Sequence, residues 1–304
     1  MTHIINSGVL LLALALSLLA VAAFHRETMP SAARAETATT SSDYRRIVSL
    51  GIVSDAALAE LCEPDRVVGV SAWSTGPTAR RWAGKPRLRG LDDLEAVIAL
   101  RPDLVLLSTD GSDLDRLERL RAVGIQVVAL GAMRGAASYT ADVLLVGTLL
   151  GRADEARVAG QRLHERLARV ADQTRLPPLA LYVAAYGETL FGGTVGTSYH
   201  DVLIAAGCRD AAAGHYTDWP QYGIEHVVAL QPEIIVTKRG MAARLWALPG
   251  MAALVHTRII ELDGELLEDP GPRLLEAAEA LRDAWLALPP RALPAVNPGT
   301  ATSR

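Results

Sequence analysis

Cysteine and aromatic residues are scarce in this chain, and its charges are nearly balanced. The 304 residues include only two cysteines, Cys62 and Cys208, so the chain has neither a disulfide framework nor a cysteine-based metal site. Both cysteines are interpreted as small buried residues. The net charge of −4 leaves no basic footprint for a nucleic acid, which excludes DNA-binding and RNA-binding functions.

Long apolar runs are also lacking, with one exception near the N-terminus. Residues 8–24 carry no charge, and small-x-small cleavage sites occur near the end of this run, at 20–22, and after it, at 33–35. This pattern predicts a signal peptide over residues 1–35, with an uncleaved membrane anchor as the alternative. Because no cysteine lies near the run, a lipid-anchored lipoprotein is excluded. We therefore expect an exported, periplasmic protein with a polar linker at 36–44 and a disordered, proline-rich tail at 289–304.

The chain contains an internal repeat. Residues 94–108 (LEAVIALRPDLVLLS) match residues 224–238 (IEHVVALQPEIIVTK) at a constant offset. Each copy predicts a short helix, a proline that ends it, and a buried parallel strand. One repeated unit in each half of the chain indicates two similar α/β lobes.

The pattern of the remaining segments supports parallel sheets in both lobes. Strands are predicted at 47–50, 67–70, 104–107 and 127–130, then at 179–184, 234–237 and 259–262. Helices are predicted between them, including 114–123, 200–206 and 274–287. The fold class is therefore α/β, with two Rossmann-like lobes at residues 45–137 and 177–288.

A long amphipathic helix is predicted between the lobes, within a helical segment at 138–176. Residues 153–174 carry one narrow apolar stripe on an otherwise charged helix. Such a helix is roughly 30 Å long, enough to join one lobe to the other rigidly.

Four stretches of the sequence resemble a known family. Residues 46–50 followed by Ser54-Asp55 look like its opening strand and helix cap, and residues 68–71 like its second strand. The stretch at 94–105 is the most diagnostic, and Trp219-Pro220-Gln221 is similar to the vitamin B12-binding members. The chain thus resembles the periplasmic substrate-binding proteins of ABC importers whose lobes are joined by one helix, and which carry vitamin B12, ferric siderophores or haem.

The resemblance implies a monomeric protein that delivers a metal chelate, a corrinoid or a ferric siderophore, to a dimeric importer permease. Glu95 and Glu225 lie at equivalent points of the two repeat copies and are predicted to dock one permease subunit each. An acidic residue in the first turn of a helix also stabilises the helix dipole, which is the local alternative for both.

The ligand is expected in the cleft between the lobes, beside loops at the carboxyl ends of the strands. Candidate ligand-binding residues there are Trp73, Arg89, Tyr216, Trp219 and Arg273. Trp73 and Arg273 match ligand-facing positions of the family, whereas Arg89 replaces an aromatic residue of the vitamin B12 binders. The glycine-rich stretch 192–198 is interpreted as a flexible cleft loop whose N–H groups are available to an anion.

Other functions are weighed against transport. A hydrolase built on Ser198, His200 and Asp201 is disfavoured because catalytic triads combine distant segments. A bare-metal receptor needs three or four converging ligands, and only His215 and Tyr216 are candidates. A haem receptor is a closer alternative, although no tyrosine follows the second strand. We predict no enzymatic activity, no protein-held metal and no cofactor.

Overall fold

The computed structural model describes residues 44–289, except 109–112, 131–133, 172–175, 188, 268 and 270. The predicted signal peptide, all of the polar linker but Tyr44, and the tail after Pro289 lie outside the described residues. Among the described residues, no helix is both long and apolar enough to cross a membrane.

The first lobe is built on a parallel sheet in the order β3-β2-β1-β4-β5. Its strands are β1 (Ile47–Ser49), β2 (Val67–Ser71), β3 (Arg87–Leu88), β4 (Leu104–Ser108) and β5 (Gln126–Leu130). Its helices are α1 (Ile52–Leu61), α2 (Gly76–Arg81), α3 (Leu94–Ala99) and α4 (Leu114–Ala122). Helices cover the sheet, so strand residues such as Val48 and Val105 are fully buried.

Two helices follow the first lobe and pack against each other. They are α5 (Ala136–Leu149) and α6 (Ala153–Ala171), and the second is the predicted long helix. Its 19 residues span about 28 Å. The predicted stripe is buried, including Ala156, Leu163 and Val170. Gly160 lets α5 approach closely, since a Cβ at that position would lie 2.6 Å from Cγ2 of Thr140.

The second lobe has a parallel sheet in the order β12-β11-β6-β9. Its strands are β6 (Leu179–Tyr182), β9 (Arg209–Asp210), β11 (Ile234–Lys238) and β12 (Arg258–Leu262). Its helices are α7 (Ser198–Ala205), α8 (Ile224–Ala229), α9 (Ala242–Trp246), α10 (Gly264–Leu267) and α11 (Leu274–Leu286). Both cysteines are buried and free, as predicted.

A small antiparallel sheet in the second lobe departs from the prediction of parallel sheets alone. It consists of β7 (Ala184–Tyr186), β8 (Thr189–Phe191) and β10 (Gln221–Tyr222), in the order β10-β8-β7. The apolar run that predicted one strand at 179–184 instead contains all of β6 and the first residue of β7. The turn after β7 uses Gly187 at a φ of +59°, a conformation that glycine adopts without strain.

The two repeat copies adopt the same local structure, as the sequence predicts. In each copy a six-residue helix is followed by a strand that lies between two parallel neighbours, β1 and β5 or β6 and β12. The residue before each proline, Arg101 or Gln231, has a positive φ of 47° or 44°. Proline disfavours the right-handed α conformation at the residue before it, and each helix has already ended two residues earlier, at Ala99 or Ala229.

Candidate functional site

Trp73 lies in the loop after β2, at the carboxyl edge of the first sheet. Its side chain is 66% exposed, and its backbone N–H donates to Ser71 Oγ at 3.1 Å. Arg87 holds the same loop from strand β3 through bonds from Nη2 to the carbonyls of Ser74 (2.7 Å) and Ala72 (3.3 Å). A large apolar ring is therefore presented to solvent on a fixed loop.

A buried carboxylate lies beneath that loop. Asp55 of α1 is fully buried and accepts the N–H of Ser71 at 3.1 Å and the hydroxyl of Ser74. Burial raises the pKa of Asp55 to about 6, while its hydrogen bonds act in the opposite direction. The expected helix cap at Ser54-Asp55 is wrong, because α1 begins at Ile52 and both residues turn inward.

Arg89 follows β3 at the same edge of the sheet, and its guanidinium is engaged by a neighbour. Nη2 lies 2.6 Å from Oδ1 of Asp93, and the Arg89 N–H donates to Asp93 Oδ2 at 2.7 Å. The hydrogen bond between the two side chains raises the pKa of Arg89 and lowers that of Asp93. A ligand group that binds Arg89 has to share the guanidinium with Asp93.

Trp219 of the second lobe is in contact with Arg134, which follows β5 of the first lobe. The Arg134 guanidinium carbon lies 5.4 Å from the centroid of the indole, in cation–π range. Arg134 also forms an ion pair with Asp218, the residue before Trp219. The indole is 45% exposed, so part of its surface remains open to a ligand.

Arg273 joins the start of α11 to the loop that carries Trp73. Its side chain is only 12% exposed, and Nη1 donates to Thr75 Oγ1 at 3.3 Å. The carboxylates of Glu265 and Glu276 lie 3.7 and 3.5 Å from its guanidinium. A Cβ on Gly76 would lie 2.8 Å from Nη1, which shows how closely the second lobe approaches α2.

Tyr216 packs within the second lobe. Its ring makes edge contacts with Tyr222 and His226, at centroid distances of 5.3 and 6.1 Å. It also packs against the core cluster of that lobe. The ring therefore packs against side chains of its own lobe.

The glycine-rich stretch 192–198, interpreted from the sequence as a flexible cleft loop, makes backbone hydrogen bonds within the second lobe. Gly192 N–H donates to the carbonyl of Pro220 at 2.7 Å, and Thr194 N–H to that of Asp218 at 3.0 Å. Thr197 N–H donates back to Thr194 at 2.9 Å. These amides are used within the lobe and fix the segment that carries Trp219.

The Ser198, His200 and Asp201 side chains do not form a relay. His200 Nδ1 lies 2.8 Å from Oδ2 of Asp210, and this bond raises the pKa of His200. Asp201 instead accepts the N–H of Ala136 at 2.7 Å, a contact between α7 and the start of α5. Within the described part of the chain, no three His, Cys, Asp or Glu side chains are grouped to hold a metal ion.

Glu95 and Glu225 are the second residues of α3 and α8, and both are exposed. Each helix precedes a central strand and runs back along it, so its first turn lies at the carboxyl edge of its sheet. Arg119 approaches Glu95 at 3.9 Å, and His226 approaches Glu225 at 4.0 Å. Exposed ion pairs at such distances contribute little to the stability of the fold, so both carboxylates remain available to a partner.

Sequence reasoning gave Asp55 only the role of a helix cap, and it missed Arg134 and Asp218. Asp55 does carry a signal, because an acidic residue within the apolar segment IVSDAALAEL is a buried carboxylate that requires hydrogen-bond donors. Arg134 and Asp218 come from segments far apart in the chain, and no local pattern predicts that they meet.

Two parallel-sheet lobes with a long intervening helix, and aromatic side chains on loops at the carboxyl edges, define a two-lobed solute-binding protein. Residues 47–266 match the periplasmic binding protein family. The chain belongs to that family, whose members bind solutes for transport.

Curated relatives include substrate-binding components of ABC transporters. The chain is 27% identical to the vitamin B12-binding protein of Photorhabdus laumondii over 71% of this chain and 79% of that protein. It is 25% identical to the substrate-binding lipoprotein YvrC of Bacillus subtilis over 81% of each chain. Among solved structures, a periplasmic haem-binding protein of Pseudomonas aeruginosa is 26% identical, with a TM-score of 0.63 over 79% of this chain and 92% of that one. This chain is thus a solute-binding protein of the kind that serves ABC importers.

Proposed function

We propose that the protein captures a metal chelate, a corrinoid or a ferric siderophore, between its lobes and hands it to the importer. The observation that carries this proposal is the placement of Trp73 and Trp219. Trp73 follows β2, and Trp219 is held by Arg134, which follows β5. Since β1 and β4 lie between these strands, the two attachment points are about 14 Å apart along the sheet edge.

That spacing suits a broad, flat and partly apolar ligand with one indole at each side. Arg89 and Arg273 are proposed to contact polar groups at the ligand's rim, in competition with their own carboxylates. The vitamin B12-binding relative supports the corrinoid assignment. Tyr216 is proposed as a further contact from the second lobe.

A haem receptor of the same fold is the second candidate, and the haem-binding structural neighbour favours it. Haem normally receives an axial ligand from the protein, such as tyrosine or histidine. Tyr216 packs on Tyr222 and His226, which disfavours this role for it.

Mass spectrometry and visible absorbance of the purified protein test the proposed function. A retained corrinoid, ferric siderophore or haem each has its own mass and spectrum. Recovery of a bare metal ion or of a metal-free organic solute would contradict the proposal.

We further propose that residues 45–137 and 177–288 act as the two lobes, joined by 138–176, in a periplasmic monomer. N-terminal sequencing of the exported protein tests the assignment of residues 1–35, with cleavage expected between residues 22 and 36. An intact Met1 in the membrane fraction would indicate an anchor instead.

A further inference from the structure

The loop that presents Trp73 is fixed by groups that do not face solvent. Asp55, Ser71 and Ser74 are buried, with exposures of 0, 0 and 5%. Trp73 is the exposed member of the loop. The hydrogen bonds of the loop therefore act on the backbone on either side of the indole, and the ring itself is left free.

Asp55 accepts two of the hydrogen bonds that fix this loop. Its two oxygens face the N–H of Ser71 at 3.3 and 3.1 Å, and one of them also accepts the Ser74 hydroxyl. The Ser71 hydroxyl in turn accepts the N–H of Trp73. A chain of bonds thus runs from a helix in the core to the backbone of the ligand-facing residue.

Burial of the Asp55 carboxylate carries a cost in folding free energy. An ionised group in the core destabilises the fold unless its hydrogen bonds compensate, and neutral residues serve equally well for packing. Two donors of the Trp73 loop, the Ser71 N–H and the Ser74 hydroxyl, supply much of that compensation, and Ser49 of β1 adds to it. Asp55 and the loop therefore depend on each other.

We propose that Asp55 is a positioning residue for Trp73, whose buried carboxylate fixes the loop Ser71–Thr75 and so sets the indole in place for the ligand. This inference rests on the proposed function, because it takes Trp73 to be a ligand contact. It adds a residue in α1 that lies outside the cleft and acts only through the loop.

Two substitutions and one matched control test the proposal in the full-length protein. Asp55→Asn keeps the shape of the side chain and removes the charge, and Ser74→Ala removes one donor if the first variant does not fold. The control is Asp103→Asn. Asp103 also accepts backbone N–H groups, from Arg45 and Arg46 at 2.6 and 3.0 Å, but at the amino edge of the same sheet.

Hydrogen exchange provides a readout that needs no ligand. In Asp55→Asn the amides of Ser71 and Trp73 should exchange about tenfold faster or more, while those of β4 stay protected. Asp103→Asn should leave the exchange of the Trp73 loop unchanged. Unchanged exchange of this loop in both Asp55→Asn and Ser74→Ala would overturn the positioning role.

Affinity for cyanocobalamin and for ferrioxamine B shows whether the effect passes through Trp73. Asp55→Asn should weaken binding about tenfold in the wild-type background and not at all in a Trp73→Ala background. Equal losses in both backgrounds would show a general structural effect and overturn the proposal. If wild-type protein binds neither probe and retains no chelate, the proposed function fails, and hydrogen exchange alone decides the role of Asp55.

Discussion

Glu95 and Glu225 occupy the same position, the second residue, in two six-residue helices that the internal repeat relates. Their side chains are 83 and 72% exposed. Each helix leads through a residue of positive φ and a proline into a central strand of its own sheet. The chain thus presents two equivalent acidic groups, one at the carboxyl edge of each lobe.

We predict that these two carboxylates dock the permease. Arginine or lysine pockets on a permease dimer can accept one carboxylate each, and charge complementarity speeds encounter. The double variant Glu95→Ala, Glu225→Ala should retain its affinity for the chelate and lose most of the transport activity in a reconstituted importer.

The control for docking is the pair Glu118→Ala and Asp283→Ala, which removes one exposed carboxylate from each lobe on other helices. It should transport normally. Normal transport by the double variant of Glu95 and Glu225 would show that these residues only stabilise the dipoles of their helices. A loss of ligand affinity would instead place them in the cleft.

Trp73 and Trp219 are predicted to contact the ligand from opposite lobes. Aromatic contacts of this kind contribute on the order of 1 kcal/mol beyond burial, so replacing either residue by alanine should weaken binding about tenfold. Ligand should also quench the fluorescence of the wild-type protein. Trp246→Phe, which removes a similarly exposed indole from α9, serves as the control. Wild-type affinity in both alanine variants would remove these residues from the site.

Arg134 is predicted to set the position of Trp219. Its guanidinium lies on the indole and pairs with Asp218, so Arg134→Ala should weaken chelate binding by a factor similar to that of Trp219→Ala. Arg134→Lys keeps the charge but loses the planar contact, so its affinity should be intermediate. Arg282→Ala, which breaks an ion pair with Asp283, is the control. Full additivity between Arg134→Ala and Trp219→Ala in titrations would contradict this coupling.

Asp55 should make the stability of the protein depend on pH. Burial raises its pKa to about 6 in the folded chain, from 3.8 for a free side chain, so the folded state binds this proton more tightly. The resulting stabilisation is complete below about pH 3.8 and is lost as pH rises through 6. Arg87 is the charged neighbour, and it lowers this pKa.

Urea unfolding between pH 4 and 7 tests whether the protein loses stability as pH rises. The free energy of unfolding of wild type should fall relative to that of Asp55→Asn by up to about 3 kcal/mol as pH rises. The hydrogen bond with Asp210 raises the pKa of His200 in both proteins alike, so its contribution cancels in the difference. If the free energies of unfolding of the two proteins change with pH by the same amount, Asp55 does not titrate as stated.

The sequence predicts the fold well because the main signals are local. Apolar runs mark the strands, the prolines at 102 and 232 end the repeated helices, and the stripe on α6 predicts the linking helix. The small antiparallel sheet was missed, since β7, β8 and β10 have two or three residues each, too few for a periodic pattern.

The candidate site is less predictable from the sequence. Trp73 and Trp219 stand out because they occupy loops, but their partners come from other segments. Asp55 meets Ser71 and Ser74 only when α1 packs on the sheet, and Arg134 meets Trp219 only when the lobes come together. Side-chain pairing across such separations depends on tertiary packing, which a local sequence pattern does not contain.

The two lobes are predicted to move little when the ligand binds. Hinge motion normally concentrates in loops or at the ends of elements, whereas α6 is a continuous helix packed along α5. Contacts of Arg273 with Thr75 and of Asp201 with Ala136 already join the lobes. Small-angle scattering should therefore give nearly the same radius of gyration, about 18 Å, with and without ligand.

A variant with disturbed packing between α5 and α6 shows whether scattering detects movement of the lobes. Gly160→Leu places a side chain where a Cβ alone would lie 2.6 Å from Thr140 Cγ2, so it should separate α5 from α6. The ligand-free form of this variant should be larger than wild type and should contract on binding. A contraction of several ångströms in the wild-type protein would mean that the lobes close about a hinge, and that α6 does not hold them at a fixed separation.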